Sequence, residues 1–169
     1  MSEILSSNLE DYLESIFVLE SEHKSARAKD IAERLNVQRA SVTGALHALS
    51  EKGLINYQPY SSVTLTPEGF RLATRIMHRH KVLFDFFHRI LQLPPDKAEA
   101  NACRIEHQID DEALERLTMF LGFLEECPRG GEQWLKAFTT SCRDRGECKT
   151  CSPCVALCGQ GLKDDKSSS

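Results

Sequence analysis

Apolar residues at Leu9, Leu13, Ile16, Phe17 and Leu19 recur at helical spacing, which predicts a first helix over Leu9–Leu19 with Ser7 or Asn8 as its N-cap. A polar break at Glu22–Ser25 separates it from a second, short helix, Ala28–Leu35, with Ile31, Ala32 and Leu35 along one side. Asn36 and Val37 supply a tight turn. Val42, Ala45, Leu46 and Leu49 then mark a third helix over Ala40–Lys52, closed by Gly53 at its C′ position. Two short runs, Leu54–Tyr57 and Val63–Thr66, flank the polar turn Pro59–Ser62 and read as a hairpin. Thr66-Pro67-Glu68-Gly69 opens the next helix with proline at its first position, and Phe70–Leu91 continues it toward the Pro94-Pro95 break. Asp96–Ile109 and Asp111–Glu125 are two further helices. In the second, Leu114, Leu117, Leu121 and Leu124 form a stripe that buries against the rest of the chain or against a second subunit.

Helix, helix, turn, helix, hairpin is the order of a winged helix-turn-helix, so the expected class is mainly α, followed by a helical second unit. The boundaries expected are residues 1–70 for the winged helix and 71–126 for the helical unit, then a cysteine-rich extension over 127–162 and a disordered tail over 163–169. In such a module the third helix enters the major groove by its N-terminal end. Gln38, Arg39, Ser41 and Thr43 are therefore candidate DNA contacts, with Arg27 and Lys29 on phosphates. A three-helix core that binds no DNA has the same element order and is the alternative.

Composition changes this picture in two places. The formal charge of the 169-residue chain is −4, yet between Lys24 and Tyr60 six basic residues stand against three acidic ones, a local reversal of sign suited to a phosphate backbone. Seven cysteines occur without a basic, apolar leader, and no apolar run approaches the roughly 18 residues of a bilayer span. The expectation is a cytoplasmic protein, not bound to membrane, whose thiols are free or hold metal rather than paired in disulfides.

Cys103, Glu106 and His107 fall at i, i+3 and i+4 within the expected fifth helix, so one helical face presents thiolate, carboxylate and imidazole. That mixture suits first-row divalent ions such as Mn(II), Fe(II), Co(II) or Zn(II). The same residues also suit a half-buried thiol, a surface carboxylate and a capping imidazole, and spacing leaves both readings open. Asp11 and Glu14 share one side of the first helix, and His80 lies on the long fourth helix.

Six strings, taken in order, resemble the iron-dependent and manganese-dependent repressors of the diphtheria-toxin-repressor and manganese-transport-regulator type. They are Leu9-Glu10-Asp11-Tyr12-Leu13-Glu14, Asp30-Ile31-Ala32-Glu33-Arg34-Leu35, Ala40-Ser41-Val42-Thr43, Leu65-Thr66-Pro67-Glu68-Gly69, Arg79-His80 and Cys103-Arg104-Ile105-Glu106-His107. The resemblance implies a homodimeric repressor of a double-stranded DNA operator with Mn(II) or Fe(II) as co-repressor, ligated by Asp11, Glu14, His80, Cys103, Glu106 and His107. Asp11 matches the manganese branch of that family and Cys103 the iron branch, so the pattern is a hybrid. Phe84 stands where the family often has a second-site carboxylate. Physically, Asp11, Glu14 and Glu106 repel one another when brought together, so a dication would select the closed arrangement.

Cys148, Cys151, Cys154 and Cys158, with Cys142 upstream, have the spacing of a ferredoxin-type cluster run but lack the proline after the fourth cysteine. Zinc, an iron–sulfur cluster and no site at all are the alternatives there. A metal-independent winged-helix regulator sensing redox through this tail is the competing function. Cys-x-x-Glu-His is also one residue from a His-x-x-Glu-His zinc-protease motif, but nothing in the chain supplies a substrate cleft, so an enzyme is not expected.

Overall fold

The computed structural model describes residues 5–22, 26–58 and 61–126. The element order is α1 (Ser7–Ser21), α2 (Ala28–Leu35), α3 (Arg39–Glu51), β1 (Ile55–Asn56), β2 (Thr64–Leu65), α4 (Pro67–Asp85), a π-helical turn (Phe86–Ile90), α5 (Pro95–Ile105) and α6 (Asp111–Glu126). Among the described residues no helix is long and apolar enough to cross a membrane. The cysteine-rich stretch, including Cys142, Cys148, Cys151, Cys154 and Cys158, and the expected polar tail lie outside the described residues.

The helix-turn-helix is set by two left-handed backbone positions. Asn36, at φ 53°, ends α2 while the Val37 N–H donates to the Ala32 carbonyl at 3.0 Å. Gly53, at φ 69°, ends α3 with the Leu54 N–H on the Leu49 carbonyl, also at 3.0 Å. Both are the closing bonds of Schellman turns, in which Asn and Gly are favoured because they tolerate positive φ. At the start of α1 the expected cap is displaced: Ser6 is the N-cap, without a side-chain bond, because the helix reaches two residues further back.

Leu13 and Ile16 of α1, Ile31 of α2 and Val42, Leu46 and Leu49 of α3 are fully buried together, joined by Ala73 and Ile76 from α4. Each such Leu or Ile contributes about 1.5–3 kcal/mol through the water-exposed surface it removes. The hairpin is antiparallel with Ile55 opposite Leu65, and Val63 adds a bridge to Ala26. Glu20 of α1 accepts from the Leu65 N–H at 3.3 Å, tying the first helix to the wing. The α4 helix runs out of this core, and its later residues Val82 and Leu83, with Ile90, Ala98, Ala102, Leu114 and Leu124, are buried outside that cluster. Of the leucine stripe on α6, Leu114 and Leu124 are thus covered, whereas Met119, Phe120 and Phe123 of the same helix are exposed.

Thr66 caps α4, its hydroxyl accepting from the Gly69 N–H at 3.1 Å, with Pro67 at the first helical position. Gly69 is required by packing rather than by φ: a Cβ there would lie 1.9 Å from the Leu54 carbonyl oxygen, which belongs to rigid backbone. Gly69→Ala is expected to destabilise the protein by about 3 kcal/mol, the upper range for overpacking against atoms that cannot rotate away. Chemical denaturation checks this, and a variant as stable as wild type would mean that α4 and Leu54 are not in contact.

Candidate metal centre

Three helices and a turn converge on one carboxylate. Glu106, 2% exposed, stands just past the end of α5. Its Oε2 accepts from His80 Nδ1 on α4 at 2.7 Å, and its Oε1 lies 3.4 Å from His107 Nε2. His107 Nε2 also lies 3.0 Å from Asp11 Oδ1 on α1, while Cys103 Sγ is 4.0 Å from His80 Nδ1. The result is two sets of three metal-ligating groups, His80–Cys103–Glu106 and Asp11–Glu106–His107, each with its ligand atoms within 4.8 Å of one another.

This geometry corrects one expectation. The fifth helix ends at Ile105 rather than Ile109, so Glu106 and His107 sit in the turn beyond it. Cys103 on the helix thus lies with His80, His107 in the turn lies with Asp11, and Glu106 lies with both. The bridging position follows from burial: a carboxylate with no access to water needs cationic or donor partners on both oxygens, and the two imidazoles supply them. Glu14 lies in neither set, but feels the field of Glu106, His80 and Asp11.

The electrostatics are those of a site short of positive charge. Burial, then the neighbouring Glu106, raise the Glu14 carboxyl above its ordinary range. Asp11 is raised by burial against the opposing pull of His107. His80 is pushed up to about 9, chiefly by its hydrogen bond to Glu106, and Cys103 to about 11 by burial and then by Glu106. Burial would lower His107, but its hydrogen bond to Glu10 and the charges of Glu106, Asp11 and Glu10 outweigh it, and the net shift is upward. In the metal-free protein the protonated imidazole of His80 thus provides positive charge that these carboxylates need. A dication would supply the same charge from the same donor atoms, so the residues present fit a divalent metal.

Two carboxylates were not among the expected site residues. Glu10 accepts from His107 Nδ1 at 2.7 Å, and Glu99 lies 3.2 Å from His80 Nε2. A local signal existed for both, since Glu10 is one helical turn before Glu14, and Glu99 one turn before Cys103. Phe84 packs beside His88 and offers no ligand atom near His80. Around α2 and α3, Arg27, Lys29, Gln38, Arg39, Ser41 and Thr43 are all exposed. Lys29 pairs loosely with Glu33 at 3.7 Å, and the Thr43 hydroxyl donates to the Arg39 carbonyl at 3.3 Å.

Two adjoining family models match this arrangement: the iron-dependent repressor N-terminal DNA-binding domain over residues 4–63, and the iron-dependent repressor metal-binding and dimerisation domain over residues 66–135. The chain is 35% identical over 118 residues to an uncharacterised HTH-type transcriptional regulator of Methanocaldococcus jannaschii, covering 69% of this chain and 94% of that protein. The chain belongs to the iron-dependent repressor family. It is also 34% identical to the HTH-type transcriptional regulator MntR of Bacillus pumilus over 119 residues, 70% of this chain and 82% of that one. Among solved structures the manganese regulator SloR superposes with a TM-score of 0.63 at 29% identity, covering 75% of this chain. This chain matches 59% of the length of SloR. These are DNA-binding transcriptional regulators, not enzymes, and the protease-like spacing of Cys103, Glu106 and His107 is absorbed by the metal-binding domain of the family.

Proposed function

We propose that this chain is a homodimeric, metal-dependent repressor in which a divalent cation at the α1–α4–α5 junction sets affinity for a double-stranded DNA operator. The single observation that carries this reading is the buried Glu106 carboxylate shared by two ligand sets drawn from three elements. Asp11, Glu14, His80, Cys103, Glu106 and His107 would hold the metal, whose contribution is positive charge that pulls carboxylate, thiolate and imidazole together. Everything else is the chain's own work. Tyr12, Leu13, Ile16 and Leu19 bury one face of α1 in the core under the recognition helix, while Asp11 and Glu14 face the cluster. Holding α1 against α4 and α5 therefore also fixes where α3 stands.

In a dimer two such helices must reach successive major grooves about 34 Å apart. A metal that prefers the competent state by about 3 kcal/mol would change occupancy by roughly two orders of magnitude. The proposed division is residues 1–70 for DNA and 71–126 for metal and dimerisation, acting in the cytoplasm. Mn(II) is favoured by the carboxylates Asp11 and Glu14, and Fe(II) by the thiol of Cys103. The spacing of Cys148, Cys151, Cys154 and Cys158 supports a separate soft-metal site in the extension, for zinc or an iron–sulfur cluster, which iron, zinc and sulfide analysis of the full chain would decide. The redox-sensing alternative, in which the Asp11–His107 cluster would be idle, is not favoured.

The test is anaerobic binding of the full chain to its own promoter DNA with Mn(II), Fe(II) or Zn(II), or with chelator. Metal should raise affinity about 100-fold, and Arg39→Ala should weaken it under every condition by about 1–3 kcal/mol. Equal affinity with metal and with chelator would sink the proposal.

A further inference from the structure

Behind each imidazole of the cluster stands a carboxylate that belongs to neither ligand set. His107 turns Nε2 toward Asp11 and Glu106 and Nδ1 toward Glu10, at 3.0, 3.4 and 2.7 Å respectively. His80 has the opposite polarity: Nδ1 faces Glu106 and Cys103, and Nε2 faces Glu99. The Glu10 side chain is 10% exposed and that of Glu99 is 56% exposed.

We propose that Glu10 and Glu99 are positioning residues of the metal centre, holding His107 with Nε2 and His80 with Nδ1 toward the metal by accepting the proton of the opposite nitrogen. The inference rests on the metal-centre reading above. A neutral imidazole carries one N–H, and an acceptor at one nitrogen keeps the proton there and leaves the other lone pair for a cation. It also fixes the ring plane, which a flexible side chain beyond the end of α5 would otherwise have to find on binding. The two residues are not equal. Glu10 is nearly buried, so water replaces it poorly, whereas water can substitute for Glu99. Because Glu10 is on α1, its bond to His107 also carries the link between α1 and the turn after α5.

Glu99 and His80 do not form a separate ion site, since among the described residues the grouped ligands around His80 are Cys103 and Glu106, and Phe84, one turn on, is apolar.

Direct titration of the full chain with Mn(II), for wild type, Glu10→Ala, Glu10→Gln and Glu99→Ala, tests this together with thermal unfolding of each metal-free protein. Glu10→Ala is expected to weaken Mn(II) binding about 10–100-fold. Glu10→Gln, whose amide oxygen still accepts from Nδ1–H, should recover most of it, and Glu99→Ala should lose less than about 10-fold. In the Zn(II)-loaded wild type, imidazole 15N shifts should place the metal on Nε2 of His107 and on Nδ1 of His80. Equal affinity of wild type and Glu10→Ala, or Gln as weak as Ala, overturns the assignment and leaves the metal centre standing. Should Glu10→Ala not fold, the 15N shifts decide, and metal on Nδ1 of His107 overturns it. A wild type that binds none of Mn(II), Fe(II) and Zn(II) overturns both readings.

Discussion

Glu106→Ala should cut metal affinity by about 200- to 5000-fold and leave DNA binding indifferent to metal. The magnitude is that of removing one partner from a buried charged pair, about 3–5 kcal/mol. Glu106 is the residue for which it applies most fully, since it is 2% exposed and common to both ligand sets. The metal-free protein should respond less. Loss of the carboxylate deprives His80 of its partner at 2.7 Å, but it also relieves the repulsion that Glu106 exerts on Asp11 and Glu14. Glu106→Gln separates charge from shape: it keeps the volume and an acceptor oxygen, yet should bind metal nearly as poorly as alanine. Calorimetric titration of both variants measures this, and wild-type affinity in the Gln variant would show that the charge of Glu106 is not what the metal needs.

A comparably large effect should appear with pH. His80, held at about 9, and Cys103, at about 11, are both protonated at pH 7, and both donor atoms belong to one ligand set. Metal must displace both protons, so affinity should rise with pH, by up to about 100-fold per unit below pH 9 and about 10-fold per unit from there toward 11. The metal-free fold responds with the opposite sign. His80 is raised above its ordinary 6.5, so its stabilising contribution is complete below pH 6.5 and is lost as pH climbs through 9. Asp11 and Glu14 are raised as well, so their ionised forms are disfavoured in the fold, and that cost is relieved on acidification. Rising pH therefore weakens the empty protein and strengthens its hold on metal. Titration in two buffers of different ionisation enthalpy counts the protons released, and a count below one per metal would contradict the protonated site.

The order of elements and most of their ends were legible in the residues because they are decided within a few positions of chain. Asn36 and Gly53 end their helices by accepting positive φ, Thr66-Pro67 starts α4 by capping and a preset φ, and period-3.6 leucines pick the buried face of α3. Spacing also placed Asp11 and Glu14 on one side of α1. The α5 helix stops four residues before the end its composition predicts, since Glu106 through Gln108 continue a helical composition. Their backbone turns instead where Glu106 and His107 are held by His80 and by α1, a constraint that spacing along the chain does not contain.

The pairing of residues across the cluster belongs wholly to the tertiary structure. Glu10 and His107 are 97 positions apart, and His80 and Glu106 are 26 apart. Local periodicity determines which side chains share a face, but which faces meet depends on how α1, α4 and α5 pack. That packing gathers His80, Cys103, Asp11 and His107 around one buried carboxylate, Glu106, and puts Glu10 and Glu99 behind the imidazoles. The physical reason is one of range: backbone hydrogen bonds and helical periodicity act over about four residues, whereas the charge balance of a buried carboxylate is settled only by the groups that the whole fold brings to it.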